Sequence, residues 1–328
     1  MNCNFNFFSR FFYDYCGYKI ILLKTLKLNI KNETSRLRAV ILGTAKNSGP
    51  NPTIEEAYDP KSREHIIAGT YPKEEDIIRE MNAVCEVFKK YDVKVFRPEV
   101  IENYNQIFAL DIALVIEDQI IDCNILPERE KEIEAIRYVL NQIDPKKIVR
   151  LPKEAHIEGG DVIPHNDYIF IGTYTGDDYA DYITARTNSI AVNAIKKLFP
   201  HKKVKSFELR KSNTDARNNA LHLDCCFQPV GNGKAILHKN GFVIEEEYEW
   251  LLNYFGKENV FEINKDEMYN MKSNIFSVAQ DVVISEINFT RLNKWFENQG
   301  ITVERVPYAE IGKQGGLLRC STMPLIRD

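Results

Sequence analysis

Three stretches of this 328-residue chain hold residues whose types suit covalent chemistry. Cys320 lies in GGLLRCSTMPLIRD, just after Gly315 and Gly316. His222 and Asp224 lie in LHLDCCF, and Glu158 and Asp161 lie in HIEGGDV. A cysteine, a histidine and a carboxylate far apart in sequence are the minimum kit for nucleophilic catalysis with an oriented base. The polar, glycine-rich surroundings of Cys320 differ from the apolar run that usually holds a structural thiol. Asp111 stands between Leu110 and Ile112, where an unpaired carboxylate is costly and calls for an internal arginine or a cationic ligand. Arg186, in ITARTN, offers the planar fork that grips an anion through two hydrogen bonds.

Each residue also has a plainer use. Cys320 reads equally as a buried thiol, His222 as a satisfied core histidine and Asp224 as a turn carboxylate. Arg186 reads as a surface arginine at a helix start. Asp161 is assigned to shaping the Gly-Gly turn. His156, His165, His201 and His238 share no spacing and are given no role.

The elements that must position these residues recur. Apolar residues at helical spacing mark a helix over 73–91, followed by the strand VKVF. The same unit returns as a helix over 128–143 before KIVRLP, one over 187–198 before VKSFEL, one over 245–255 before NVFEI, and one over 288–298 before ITVERVP. Five strands at roughly 45–55-residue spacing are the mark of a repeated architecture. RLRAVILG supplies an opening strand, and ALVIEDQIIDC, DVIPHNDYIFIGT and GNGKAILHKNGF read as hairpins. After the five recurring strands come, in turn, Asp111, Glu158, His222 with Asp224, Asn274 and Cys320. Equivalent positions in a closed ring face one axis, so these residues are expected around a central pocket. The charged run 128–137 is read as a solvated face with i,i+4 pairs.

Composition narrows the alternatives. A chain 44% hydrophobic and 27% charged can bury a large core, and its net charge of −4 gives no footprint for nucleic acid. The apolar runs are too short to span a bilayer. Seven cysteines with no zinc-type spacing suggest free thiols, a reducing, cytoplasmic setting and no metal. Residues 1–27 are aromatic-rich without a signal-peptide layout and are expected to stand outside a single catalytic domain over 28–328.

RLRAVILG, the aspartate after IFA, HIEGGDV, TARTN, LHLDCCF and GGLLRC, in this order, resemble the guanidino-group-modifying (pentein) superfamily: arginine deiminases, dimethylarginine dimethylaminohydrolases and amidinotransferases. The resemblance implies an α/β fold, a five-bladed propeller, acting on a small guanidino substrate without a cofactor, and it allows a homodimer. It implies Cys320 as nucleophile, His222 as proton-transfer group and Glu158 as its orienting carboxylate. Asp111 and Asp224 would hold the guanidinium, and Arg186 would meet a carboxylate at the substrate's far end. Two positions depart from the pattern: Leu110 stands where many relatives have arginine, and Cys225 where deiminases and amidinotransferases commonly have threonine. The favoured expectation is an arginine deiminase-like hydrolase working through an amidino-cysteine intermediate. The alternatives are an amidinotransferase and a non-catalytic propeller, of which a ribosome-binding translation factor is an example.

Overall fold

The computed structural model describes residues 25–328, together with a short antiparallel backbone pair, Phe12–Tyr13 with Lys19–Ile20. Apart from that pair, the extension expected over 1–27 lies outside the described residues as far as position 24. Five three-stranded sheets follow among the described residues, all built alike. An antiparallel strand pair is joined, through a helical crossover, to a third strand that runs parallel to the pair's middle strand. Such parallel pairs need a long crossover, which is why a helix recurs between the strands of every blade.

The first blade pairs Leu37–Leu42 with Lys94–Phe96 through the helix Glu74–Lys90. That helix carries Glu74, Glu75 and Asp76 in its first turn and Lys89 and Lys90 in its last, matching the helix dipole at both ends. Its buried face is Ile77, Met81, Val84 and Phe88. The third blade is Val162–His165, Tyr168–Thr173 and Lys203–Glu208, with helix Ser189–Leu198 capped by Asn188 on Ala191 N. The fourth is Phe227–Val230, Lys234–Leu237 and Val260–Glu262 with helix Glu245–Phe255. The fifth is Phe276–Ala279, Val282–Glu286 and Thr302–Val306 with helix Thr290–Asn298. Its hairpin was not among those expected from the sequence.

The second blade, Ala113–Ile116, Gln119–Asp122 and Ile148–Arg150, holds the clearest difference from expectation. The helix over 128–143 is instead a 3-10 stretch, Pro127–Ile136, followed by one α-turn, Arg137–Leu140. Three residues per turn stack positions i and i+3, and Arg129 and Glu132 are bonded at that spacing. Both are buried, while Glu128, Glu130, Lys131 and Glu134 are exposed, so the run is a solvated face on one side only.

The ring closes on itself. The last strand, Thr322–Arg327, is antiparallel to Leu37–Leu42, with Thr322 opposite Leu42 and Met323 opposite Ile41. The chain's end thus completes its first blade, and the molecule is a five-bladed α/β propeller.

Candidate active site

Each blade's hairpin is entered by a segment that carries one or two of the residues singled out above. Asp111 lies just before Ala113–Ile116, Glu158 before the turn Gly159–Asp161, and His222 caps the turn Leu223–Cys225. Asn274 precedes Phe276–Ala279, and Cys320 precedes Thr322–Arg327. Close approach requires glycine at two of these points. A Cβ on Gly160 would lie 2.5 Å from His222 Nδ1, and one on Gly159 would lie 2.0 Å from the Leu110 carbonyl oxygen.

The segments converge, and all six candidate residues are buried. His222 Nε2 is 2.7 Å from Glu158 Oε2. Its Nδ1 faces Asp111 Oδ1 at 3.9 Å, and neither of those two atoms has a hydrogen-bond partner. Reacting-type atoms of His222, Asp224 and Cys320 lie within 4.8 Å of one another. Cys320 Sγ is 3.7 Å from Asp224 Oδ2 and receives a bond from Asn274 Nδ2 at 3.2 Å.

Arginines stand behind the carboxylates. Arg129 donates to Asp111 Oδ2 at 2.7 Å while also binding Glu132 and the Phe108 carbonyl. Arg319 donates to Asp224 Oδ2 at 2.9 Å and to Glu33 Oε1 at 3.0 Å. Arg186 Nη1 bonds both oxygens of Glu158, at 3.1 and 3.0 Å. Its remaining donors go to the carbonyls of Ile183 and Tyr58. The fork expected to meet a substrate carboxylate is therefore engaged by Glu158, and Arg186 is placed in the centre's charge network rather than at an open anion site. An arginine does reach Asp111, from position 129 rather than 110. Asp161 accepts from Leu223 N at 2.9 Å and so ties down the turn that carries His222.

Burial and these neighbours set the charge states. Burial pulls the His222 imidazole down, but Asp111 and Glu158 outweigh it and raise its pKa to about 9. Burial also opposes the charge on Glu158, yet Arg186 and His222 hold its carboxyl well below the usual range. Burial, followed by the charges of Asp224 and Asp111, pushes the Cys320 thiol well up. Asp224 is raised by burial despite Arg319. At neutral pH the centre is an imidazolium beside a neutral thiol, with carboxylates directed inward.

Sequence spacing offers no metal set, yet the fold brings His222, Asp224 and Cys320 into one, and Asp111, Glu158 and His222 into another. Arginines already face Asp111, Glu158 and Asp224. Sequence reasoning gave no role to Arg129, Glu132, Glu33 or Arg319. Only Arg319, beside Cys320 in the terminal motif, carried a positional signal.

The family model described as N,N dimethylarginine dimethylhydrolase, eukaryotic, matches residues 67–327, which include all six candidate residues. The chain belongs to this family. The Bacillus subtilis (strain 168) "uncharacterized protein YkgA" is 26% identical over 246 residues, covering 74% of this chain and 78% of that protein. Among solved structures, an amidinotransferase of saxitoxin biosynthesis from Microseira wollei, SxtG, superposes with a TM-score of 0.71 at 17% identity. It covers 92% of this chain and 97% of its own. The N-terminal domain of ArgZ, a cyanobacterial arginine dihydrolase, gives 0.72 at 16% identity over 88% of this chain and 97% of that one. These two likenesses show the dimethylarginine dimethylhydrolase-family chain to have the propeller fold that both share. Among its described residues, no helix is long and apolar enough to cross a membrane.

Proposed function

We propose that the protein is a guanidino-group hydrolase of the arginine deiminase type, with Cys320 as nucleophile. The observation that carries this reading is the pair of half-committed carboxylates beside the thiol and imidazole. Asp111 keeps Oδ1 without a partner, and Asp224 turns its Oδ1 toward the thiols of Cys225 and Cys320, at 3.9 and 4.0 Å. A planar guanidinium supplies the N–H donors that such carboxylate oxygens accept, and paired charge-assisted bonds fix its plane.

Binding that cation offsets the negative charges that hold Cys320 protonated, so the thiol gives its proton to solvent and the thiolate forms where it is needed; the proton is regained when the product leaves. Its sulfur attacks the central carbon and a C–S bond forms. Imidazolium His222 gives a proton from Nδ1 to the departing amine as the C–N bond breaks. His222, now neutral, takes a proton from water, whose oxygen adds to the amidino carbon. The C–S bond then breaks, the electron pair returns to sulfur, and a ureido product leaves. The remaining proton departs on the released amine. Glu158 holds Nε2 and stabilises the imidazolium, as the third member of a triad does. Arg186 keeps Glu158 ionised.

Product analysis tests the reading: incubation with arginine, methylated arginines, agmatine and guanidinoacetate, each with and without acceptor amines. A ureido product whose yield is indifferent to the amines is expected, and Cys320→Ala should abolish it. Transfer of the amidino group to an added amine would make the protein an amidinotransferase. Turnover surviving in Cys320→Ala would remove the covalent mechanism.

A further inference from the structure

The segment that enters the fifth blade contributes Asn274, whose side chain is fully buried and touches the turn of Cys320 at three points. Its Oδ1 accepts from Arg319 N at 2.9 Å and from Cys320 N at 3.2 Å, and its Nδ2 donates to Cys320 Sγ at 3.2 Å. The orientation of the amide follows from chemistry. Backbone N–H groups only donate, so the atom facing them must be the oxygen, and the NH2 must face sulfur. Next to it, Ser273 Oγ donates to the Asp224 carbonyl at 2.8 Å. One short segment therefore fixes both the thiol and the carboxylate beside it.

The arrangement differs from the N–H pairs that stabilise an oxyanion in acyl transfer. There, the nucleophile's own backbone N–H points at the reacting oxygen. Here that N–H is occupied by Asn274 Oδ1. A guanidinium under attack develops no oxyanion, and its nitrogens want acceptors, which Asp111 and Asp224 supply. What a buried thiol flanked by carboxylates lacks is a donor for its anionic form. Among the hydrogen bonds of the described residues, Asn274 Nδ2 supplies that side-chain donor to Sγ.

We propose that Asn274 is a positioning residue for the nucleophile: it clasps the turn that presents Cys320 and supports the thiolate with an amide N–H. This rests on Cys320 being the nucleophile. Asn274→Asp separates the two halves of the role, because it keeps an oxygen for the backbone N–H groups and puts a second oxygen where the donor was. A hydrogen bond to the charged form favours that form, and its replacement by a like charge disfavours it.

The test is iodoacetamide labelling of Cys320, read by peptide mass spectrometry as a function of pH, on the full chain and without substrate. The pH midpoint of labelling should rise by about one unit or more in Asn274→Asp. It should also rise, by less, in Asn274→Ala. With a turned-over substrate, kcat should fall about tenfold or more while KM stays within about twofold. If the Asp variant does not fold, Asn274→Ser, which offers a hydroxyl too short to reach sulfur and adds no charge, is read in its place with the smaller rise expected of Asn274→Ala. Midpoints equal to wild type in a folded variant would overturn the role of Asn274 alone. Failure of substrate to protect Cys320 in the wild type would overturn the nucleophile and this role with it.

Discussion

Arg186 and His222 compete for the same carboxylate, and the outcome sets the charge on the imidazole. Arg186 spends its fork on both oxygens of Glu158, so its loss should be felt by every guanidino compound. Arg186→Gln is expected to lower turnover of arginine and agmatine by similar factors. A variant that loses arginine turnover and spares agmatine would return Arg186 to recognition of a substrate carboxylate. His222 gives a pH prediction. Its folded value, about 9, lies above its ordinary value near 6.5. Its contribution to stability is therefore complete below about 6.5 and is lost as pH rises through about 9. Glu158 is lowered from 4.5, so its contribution is present above that value and is lost on acidification through its folded value. The melting temperature of wild type should thus exceed that of His222→Gln most between about 4.5 and 6.5, and the gap should shrink toward pH 9. A gap constant across that range would mean that His222 is not held as the cation.

Local segments decide how closely these groups approach, and the turn Gly159–Asp161 leaves no room for a side chain at either glycine. A methyl group on Gly160 would meet His222 Nδ1 at 2.5 Å and Cγ at 2.7 Å, so the ring must shift to admit it. Gly160→Ala should cost about 1–3 kcal/mol in urea unfolding, the range for overpacking a filled site, and reduce turnover more than that loss alone explains. Wild-type turnover in this variant would show that the ring has room to move without consequence. The same scale separates what was legible in sequence from what was not. The helix Glu74–Lys90 announces itself through Ile77, Met81, Val84 and Phe88, and the placement of Asp111, Glu158, His222 and Cys320 followed from repeating one unit. Arg129 and Glu132 were not legible, because a charged run reads the same whether water or Asp111 solvates it. Asp111's need for a partner was readable; that Arg129 fills it depends on a 3-10 turn that periodicity does not reveal. Asn274 was legible as a position and not as a role, since its three bonds go to a turn 46 residues away.

At the scale of the whole molecule, the side chains of the centre meet because the ring is closed by its own last strand. Met323 and Leu325 are fully buried in Thr322–Arg327. Arg327, also buried, donates from Nη2 to the Ser277 carbonyl and lies over the Phe276 ring. The last strand therefore binds the fifth blade as well as the first. Cys320 sits just ahead of this strand, with its carbonyl accepting from Leu110 N at 3.0 Å, so the nucleophile's place depends on the closure. A chain ending at Ser321 would leave Leu37–Leu42 as an open edge, free to pair with other molecules. It would also forfeit the burial of Met323 and Leu325, each about 1.5–3 kcal/mol. That sum is a large part of the roughly 5–15 kcal/mol available to a folded domain. The truncated chain is expected to lose its cooperative urea transition and to associate as its concentration rises, as read by light scattering. Arg327→Met, which keeps the strand and its pairing but removes the bonds to the neighbouring blade, should unfold cooperatively at a lower midpoint. A truncated chain that unfolds cooperatively near the wild-type midpoint would show that five blades hold their ring without the strand that closes it.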